Sequence, residues 1–272
     1  MPYNKSQMTE RLKQEMQRHN LKDGRSAQIL KLYSQNPEYQ KLAYHNVDHV
    51  RSVLALFELL VKMTPKDFAP AHHISAARIA LAFHDIGHSG FSDDIIGDDG
   101  HNNIARAIAR YLDYVIDNAV PTDQYQQDLI TGYVTATQFP YVEYLPEVLH
   151  PQVVALVRDA DMLWGLMPGN QEQCMIGLWM EQVNSGAAPN EPCDIEQLLV
   201  RQISFIKDYK PGSRAGSAFK SAFWVEATEK WAMVALEFMR QEEAARMVSA
   251  MADGEVLQLR TAIKKELPRP TA

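Results

Sequence analysis

Phe83-His84-Asp85-Ile86-Gly87-His88 ends a run in which Ile74, Ala77 and Leu81 recur at helical spacing. Tyr44-His45-Asn46-Val47-Asp48-His49 precedes it and Asp159-Ala160-Asp161 follows. Seven of the nine histidines lie between residues 45 and 101, several beside carboxylates in helical text. An adjacent His-Asp pair offers a nitrogen and an oxygen from one stretch of backbone to the same region of space. Imidazole and carboxylate together suit divalent Zn, Mn, Mg or Fe rather than a thiolate site.

Outward from that motif, helical periodicity dominates and period-two alternation is scarce. Helices are expected at about 5–19, 23–36, 46–63, 71–84, 101–118, 122–138, 150–163, 171–185, 193–209 and 222–252, with a short last one near 255–266. In the third of these, Val47, Val50, Leu54, Phe57 and Val61 form one stripe, with Arg51, Ser52 and Lys62 elsewhere. Pro and Gly cluster at 139–151 and at Lys210-Pro211-Gly212-Ser213, as loop signals rather than domain linkers. The expectation is one all-α, multi-helix domain over residues 1–272, with a frayed tail from Leu267.

Composition narrows the partners. A hydrophobic content of 46% supports a packed core. The net charge of −7, with no long basic run, disfavours non-specific nucleic-acid binding. Cys174 and Cys193 make neither a CxxC pair nor a disulfide framework, so a reducing cytoplasm is the simplest compartment. The opening segment lacks an apolar signal core, and no stretch approaches eighteen uninterrupted apolar residues, so no membrane association is expected.

Residue by residue, each candidate also has an ordinary explanation. His49 shares a face with Val53, Leu56 and Leu60, where a core histidine is common. His84 and Asp85 close a helix, where polar caps are common. Asp161 follows Val154 and Val157 on an inward face, where a salt bridge to Arg158 would satisfy it. Three helices each presenting an inward ligand type are better explained by one site.

These residues carry a family resemblance. His49, His84-Asp85 and Asp161 match the H…HD…D order of the HD superfamily of metal-dependent phosphohydrolases. The flanking text resembles the cyclic-nucleotide phosphodiesterase catalytic domain, with its YHNxxH, HDxxHxG, ATD-like and ADL motifs. Here these read Tyr44-His45-Asn46-Val47-Asp48-His49, His84-Asp85-Ile86-Gly87-His88-Ser89-Gly90, Ala136-Thr137-Gln138 and Ala160-Asp161-Met162. The likeness spans about residues 40–165, and helices from 166 to 266 would complete the pocket.

The resemblance implies that His49, His84, Asp85 and Asp161 hold a first metal and that Asp85 bridges to a second. It implies His45 as the general acid, and His88, His101 and Thr137 as positions holding the second metal's waters. Asp98, three before His101, matches the family's glutamate only across a much shorter segment. Two divalent ions (Mn, Mg, Zn or Fe) would generate a hydroxide nucleophile and neutralise phosphoryl charge. Gln138 and Met162 depart from the family's Asp and Leu. The family's purine-gripping glutamine and aromatic have a counterpart only in Gln202 and Phe205, three apart on a helix.

Four functions follow as expectations. The first is metal-dependent hydrolysis of a phosphoester in a small nucleotide, with a cyclic-nucleotide diester foremost. The second is a nucleoside mono- or triphosphate phosphohydrolase on the same fold. The others are a non-catalytic nucleotide-binding module and a di-iron oxygenase. Asp159 either orients a ligand histidine or is a solvated or salt-bridged carboxylate. Lys207, Lys210, Arg214 and Lys220 flank a Gly-rich segment that is either a phosphate-binding lid or an interhelical loop. Trp164, Trp179, Trp224 and Trp231 are read as core, and Met239, Met247 and Met251 as core or a homodimer seam.

Overall fold

The computed structural model describes residues 4–20, 42–88, 102–184 and 194–250. It is all-helical, with no strand among the described residues: α1 (Lys5–Asn20), α2 (Val47–Met63), α3 (Ala71–Phe83), α4 (Asn102–Asp117), α5 (Gln124–Ala136), α6 (Pro151–Leu163), α7 (Leu178–Asn184), α8 (Ile195–Asp208) and α9 (Arg214–Ala250). A 3₁₀ turn, Trp164–Leu166, and a π-helical turn, Gln173–Gly177, join α6 to α7. The helices expected at 23–36 and 255–266, together with Cys193, Asp98 and His101, lie outside the described residues.

Local chemistry starts most of these helices. Asn46 caps α2 by accepting from the Asp48 and His49 amides, and Asp123 and Asp194 do the same for α5 and α8 through Gln126 and Gln197. Pro151 opens α6, where its missing N–H leaves no bond unmade. Gly87, at φ +94°, ends the turn after α3 in a conformation few side chains adopt.

The core forms around α2. It packs on α1, α3, α6 and α9, and Val50, Val53 through Phe57, Leu59 and Leu60 are wholly inaccessible. The single apolar stripe expected for this helix is therefore corrected. Ser52 is buried too, because α2 is enclosed on nearly every side. Two ion pairs lie at its flanks, Glu15 with Lys62 and Glu58 with Arg78. Trp164 and Trp231 are fully buried, while Trp179 and Trp224 are partly buried against the same core. Met239 is more than a third exposed, so it is not core.

The last helix also differs from expectation. It begins at Arg214, eight residues before the expected start, and Gly216 lies inside it. Ser213 caps it, its Oγ accepting from the Gly216 amide at 2.8 Å. Gly216 is a close-approach glycine rather than a loop signal, because a Cβ there would sit 2.2 Å from Asp159 Oδ2. Among the described residues, no helix is long and apolar enough to cross a membrane.

Candidate metal centre

The Asn46 cap sets up the first two histidines. Its Oδ1 accepts from the His49 amide at 3.2 Å and from Gln173 Nε2 at 2.9 Å, while its Nδ2 donates to the Ala43 carbonyl at 2.9 Å. His45 is thereby left in the bend before α2, and His49 enters its first turn facing the core. The His49 ring lies between Tyr44, stacked at 5.5 Å, and Trp164, edge-on at 4.7 Å. The Tyr44 hydroxyl accepts from Trp164 Nε1 at 3.2 Å, which ties the two walls together.

His84 and Asp85 follow α3 directly, and His84 is its C-cap. His84 Nδ1–H donates to the Leu81 carbonyl at 2.7 Å, which turns Nε2 toward the site. Nε2 of His84 lies 3.2 Å from His49 Nε2, 3.1 Å from Asp85 Oδ2 and 3.2 Å from Asp161 Oδ1. Nε2 of His49 lies 2.9 Å from Asp85 Oδ2 and 3.6 Å from Asp161 Oδ1. Metal–ligand bonds of about 2.0–2.2 Å put neighbouring ligand atoms roughly 3.0 Å apart at right angles and about 3.4 Å apart in a tetrahedron. The observed spacings, 2.9–3.6 Å, bracket both values.

The electrostatics agree with a cation at this point. Asp85 Oδ2 is buried without a hydrogen-bond partner although two ring nitrogens face it. Burial raises the Asp85 pKa, but His84 and His49 prevail and hold it well below the carboxylate range. Burial likewise opposes charge on His84, yet Asp85 and Asp161 hold its pKa well above the ordinary value. His49 is shifted down because burial wins there over the same carboxylates. The residues present fit a divalent cation.

A second group lies beside the first. His45, His88 and Glu181 bring one donor atom each within 4.8 Å of one another, as His49, His84 and Asp85 do. His45 Nδ1–H donates to Glu181 Oε2 at 2.7 Å, and Glu181 Oε1 accepts from the Tyr44 and His45 amides at 2.6 and 2.7 Å. Burial raises the Glu181 pKa, but the His45 hydrogen bond and charge, helped by those amides, bring it below the usual range. The His45 and His88 rings stack at 3.7 Å, and the His45 and His49 centroids are 6.0 Å apart.

Glu181 was missed in the sequence. It arrives from 136 residues away because the π-helical turn presses on the segment before α2. Gly177 allows this approach, since a Cβ there would lie 2.6 Å from the Ala43 carbonyl. Its one sequence signal was a carboxylate following Cys174, Gly177 and Leu178 at helical spacing, and all of these but Leu178 are buried.

The remaining candidates divide. Thr137 is buried at the end of α5, and its hydroxyl donates to the Val134 carbonyl at 2.7 Å, an ordinary core bond. Arg158 does not pair with Asp161. It donates to the Ala136 carbonyl at 3.0 Å and stacks on Tyr141 at 4.1 Å. Gln202 Nε2 faces Cys174 Sγ at 3.8 Å, while Phe205, 38% exposed, meets Phe139 edge-on at 5.2 Å. The Cys174 thiol is buried and pushed up to about 12 by that burial.

Asp159 is neither solvated nor salt-bridged. It is fully buried and accepts from the Tyr209 hydroxyl at 2.7 Å, the Gly212 and Ser213 amides at 2.9 Å each, and Ser213 Oγ at 2.6 Å. This anchors the segment entering α9, so the Gly-rich stretch is no mobile lid. Lys220 Nζ donates to the Lys207 and Tyr209 carbonyls at 2.9 and 2.7 Å, capping the end of α8.

The chain matches no protein-family model and no curated protein. Its architecture and donor groups define an all-helical protein with, among the described residues, two His-carboxylate clusters able to hold metal, a combination compatible with an HD-like fold.

Proposed function

We propose that this chain is a metal-dependent phosphohydrolase of HD type acting on a small nucleotide, with a cyclic phosphodiester as the foremost substrate. The observation that carries the reading is the convergence of His49, His84, Asp85 and Asp161 around the unsatisfied Asp85 Oδ2. The neighbouring His45–Glu181 pair supports it. Divalent cations bound there would supply charge against the phosphoryl oxygens and acidify a water.

The chain's own residues do the rest. Tyr44 and Trp164 fix the His49 ring, and the Leu81 carbonyl fixes that of His84. Glu181 holds the Nδ1 proton of His45, so Nε2 is the nitrogen that carries the proton delivered to the leaving oxygen. The His45 side chain is 12% exposed and that of Asp161 19%, so neither is sealed from a substrate. Residues beyond 166 belong to the same unit on this reading, since Glu181 completes the site begun by His45.

One observation favours the second substrate class. The Gln202 amide nitrogen faces Cys174 Sγ rather than Phe205's exposed ring, so the glutamine-and-aromatic clamp is not assembled as the resemblance implies. A nucleoside mono- or triphosphate then becomes the alternative substrate. The test is hydrolysis by chelator-stripped protein reconstituted with Mn, Mg, Zn or Fe(II), against cyclic nucleotides, dinucleotides and nucleoside phosphates. Ring opening without release of inorganic phosphate is the expected result. Phosphate or triphosphate release transfers the assignment to the alternative, and tight binding with no turnover under any metal refutes hydrolysis.

A further inference from the structure

The resemblance treats His45 as a proton donor and His88 as a neighbour of metal-bound water, and it assigns nothing to Glu181. The geometry supports another use of the three together. They come from three places in the fold: the bend before α2, the turn after α3, and α7. Glu181 is 4% exposed and His88 5%, and their donor atoms and that of His45 lie within 4.8 Å of one another.

The carboxylate is already oriented. With Glu181 Oε1 held by the Tyr44 and His45 amides at 2.6 and 2.7 Å, Oε2 is directed at His45 Nδ1, 2.7 Å away. The two imidazoles are nearly parallel, 18° apart and 3.7 Å between centroids. Two nitrogens and one oxygen form a zinc-type donor set.

We propose that His45, His88 and Glu181 form a cation site of their own, separate from the His49–His84–Asp85–Asp161 centre and selective for zinc-like ions over magnesium. The first centre carries two carboxylates and accepts hard ions, whereas the second carries one and relies on imidazole nitrogen. Neighbouring ligand atoms around zinc are roughly 3.3 Å apart, so the His45–Glu181 contact must open by about half an ångström, and one of the two stacked rings must turn for both lone pairs to face one ion. His45 can move this far because it precedes the Asn46 cap and is outside the helix.

An ion on His45 Nδ1 displaces the proton held there, to solvent from an imidazolium or to Nε2 from the neutral ring, so either way one proton stays on Nε2. The ring can then no longer become an imidazolium, and its remaining Nε2–H is a far weaker acid. Excess zinc would therefore suppress proton delivery to the leaving group. This last consequence alone rests on the hydrolysis reading; the binding site does not.

The test is metal stoichiometry on the full chain. Chelator-stripped wild type, Glu181→Gln and His88→Gln are dialysed against buffered Zn²⁺ with excess Mg²⁺, and bound zinc is measured by elemental analysis. Co²⁺ absorption reports coordination in parallel. Glutamine at 181 keeps an oxygen for the two amides and removes the charged ligand, so that variant is expected to fold. Both variants should lose one zinc-binding class, with affinity reduced at least about 100-fold, while His49→Ala loses a different class. Zinc inhibition of magnesium-supported turnover should disappear in His88→Gln, whatever its basal rate. Equal zinc stoichiometry in wild type and both variants overturns the proposal. Absence of turnover in all samples, with the stoichiometric loss intact, refutes the hydrolysis reading and leaves this site standing.

Discussion

Asp159 and Asp161 lie two residues apart on α6, about 200° apart around the helix, and should fail in different ways when altered. Asp159→Asn keeps one oxygen for the Tyr209 hydroxyl and the Gly212 amide, and turns an NH₂ toward the Ser213 amide and hydroxyl. Ser213 Oγ can rotate to accept; the Ser213 N–H cannot. The variant leaves that N–H unsatisfied in a fully buried site, a cost of about 1–3 kcal/mol. It also removes charge assistance from two surviving bonds, at about 0.5–1 kcal/mol each. The sum is about 3 kcal/mol, which corresponds to a melting temperature lower by roughly 10 °C. Urea unfolding followed by circular dichroism, with a thermal melt, measures it. Metal binding at low temperature should survive in Asp159→Asn and fall in Asp161→Asn, which leaves the anchor intact. A destabilisation under about 1 kcal/mol, or loss of metal in Asp159→Asn alone, would refute the reasoning.

Asp85→Ala removes the carboxylate that faces both His49 and His84, and should abolish metal binding at that centre together with turnover; undiminished hydrolysis would sink the mechanism. Glu181→Gln should lower kcat about 100-fold or more with little change in KM, because it loosens the proton donor and leaves the first centre alone; steady-state kinetics with Mg²⁺ decide it. His73 provides a pH dependence of stability. Burial, then the neighbouring His72 and His150, lower its pKa from 6.5, and the Tyr133 hydroxyl donates to its Nδ1 at 2.9 Å. The unfolded chain binds this proton more readily, so stability is present above about pH 6.5 and is lost as the pH falls below it. The melting temperature should therefore drop between pH 7 and pH 5 by less in His73→Gln than in the wild type.

How much of the site was legible depended on the distance over which each residue acts. The YHNxxH text is a local instruction: Asn46 caps the helix, so His45 stays outside it and His49 enters the first turn. The His-Asp pair is equally local, one residue past the end of α3 and two before a glycine at φ +94°. Gly216 misled for the opposite reason. Glycine in sequence signals a turn, and its use as space for the Asp159 carboxylate exists only once α6 and α9 are packed. Asp159 misled with it, because solvated and buried carboxylates have the same one-dimensional signature.

The sequence by itself determined the helical class and the inward placement of His49, His84, Asp85 and Asp161, since these follow from periodicity over a few residues. Only the tertiary structure decided that His45 belongs with Glu181 and His88, that Tyr44 and Trp164 hold His49 between them, and that Asp159 anchors the start of α9. These contacts join segments many residues apart. Side-chain chemistry alone does not specify such partners; burial in a shared, close-packed core does.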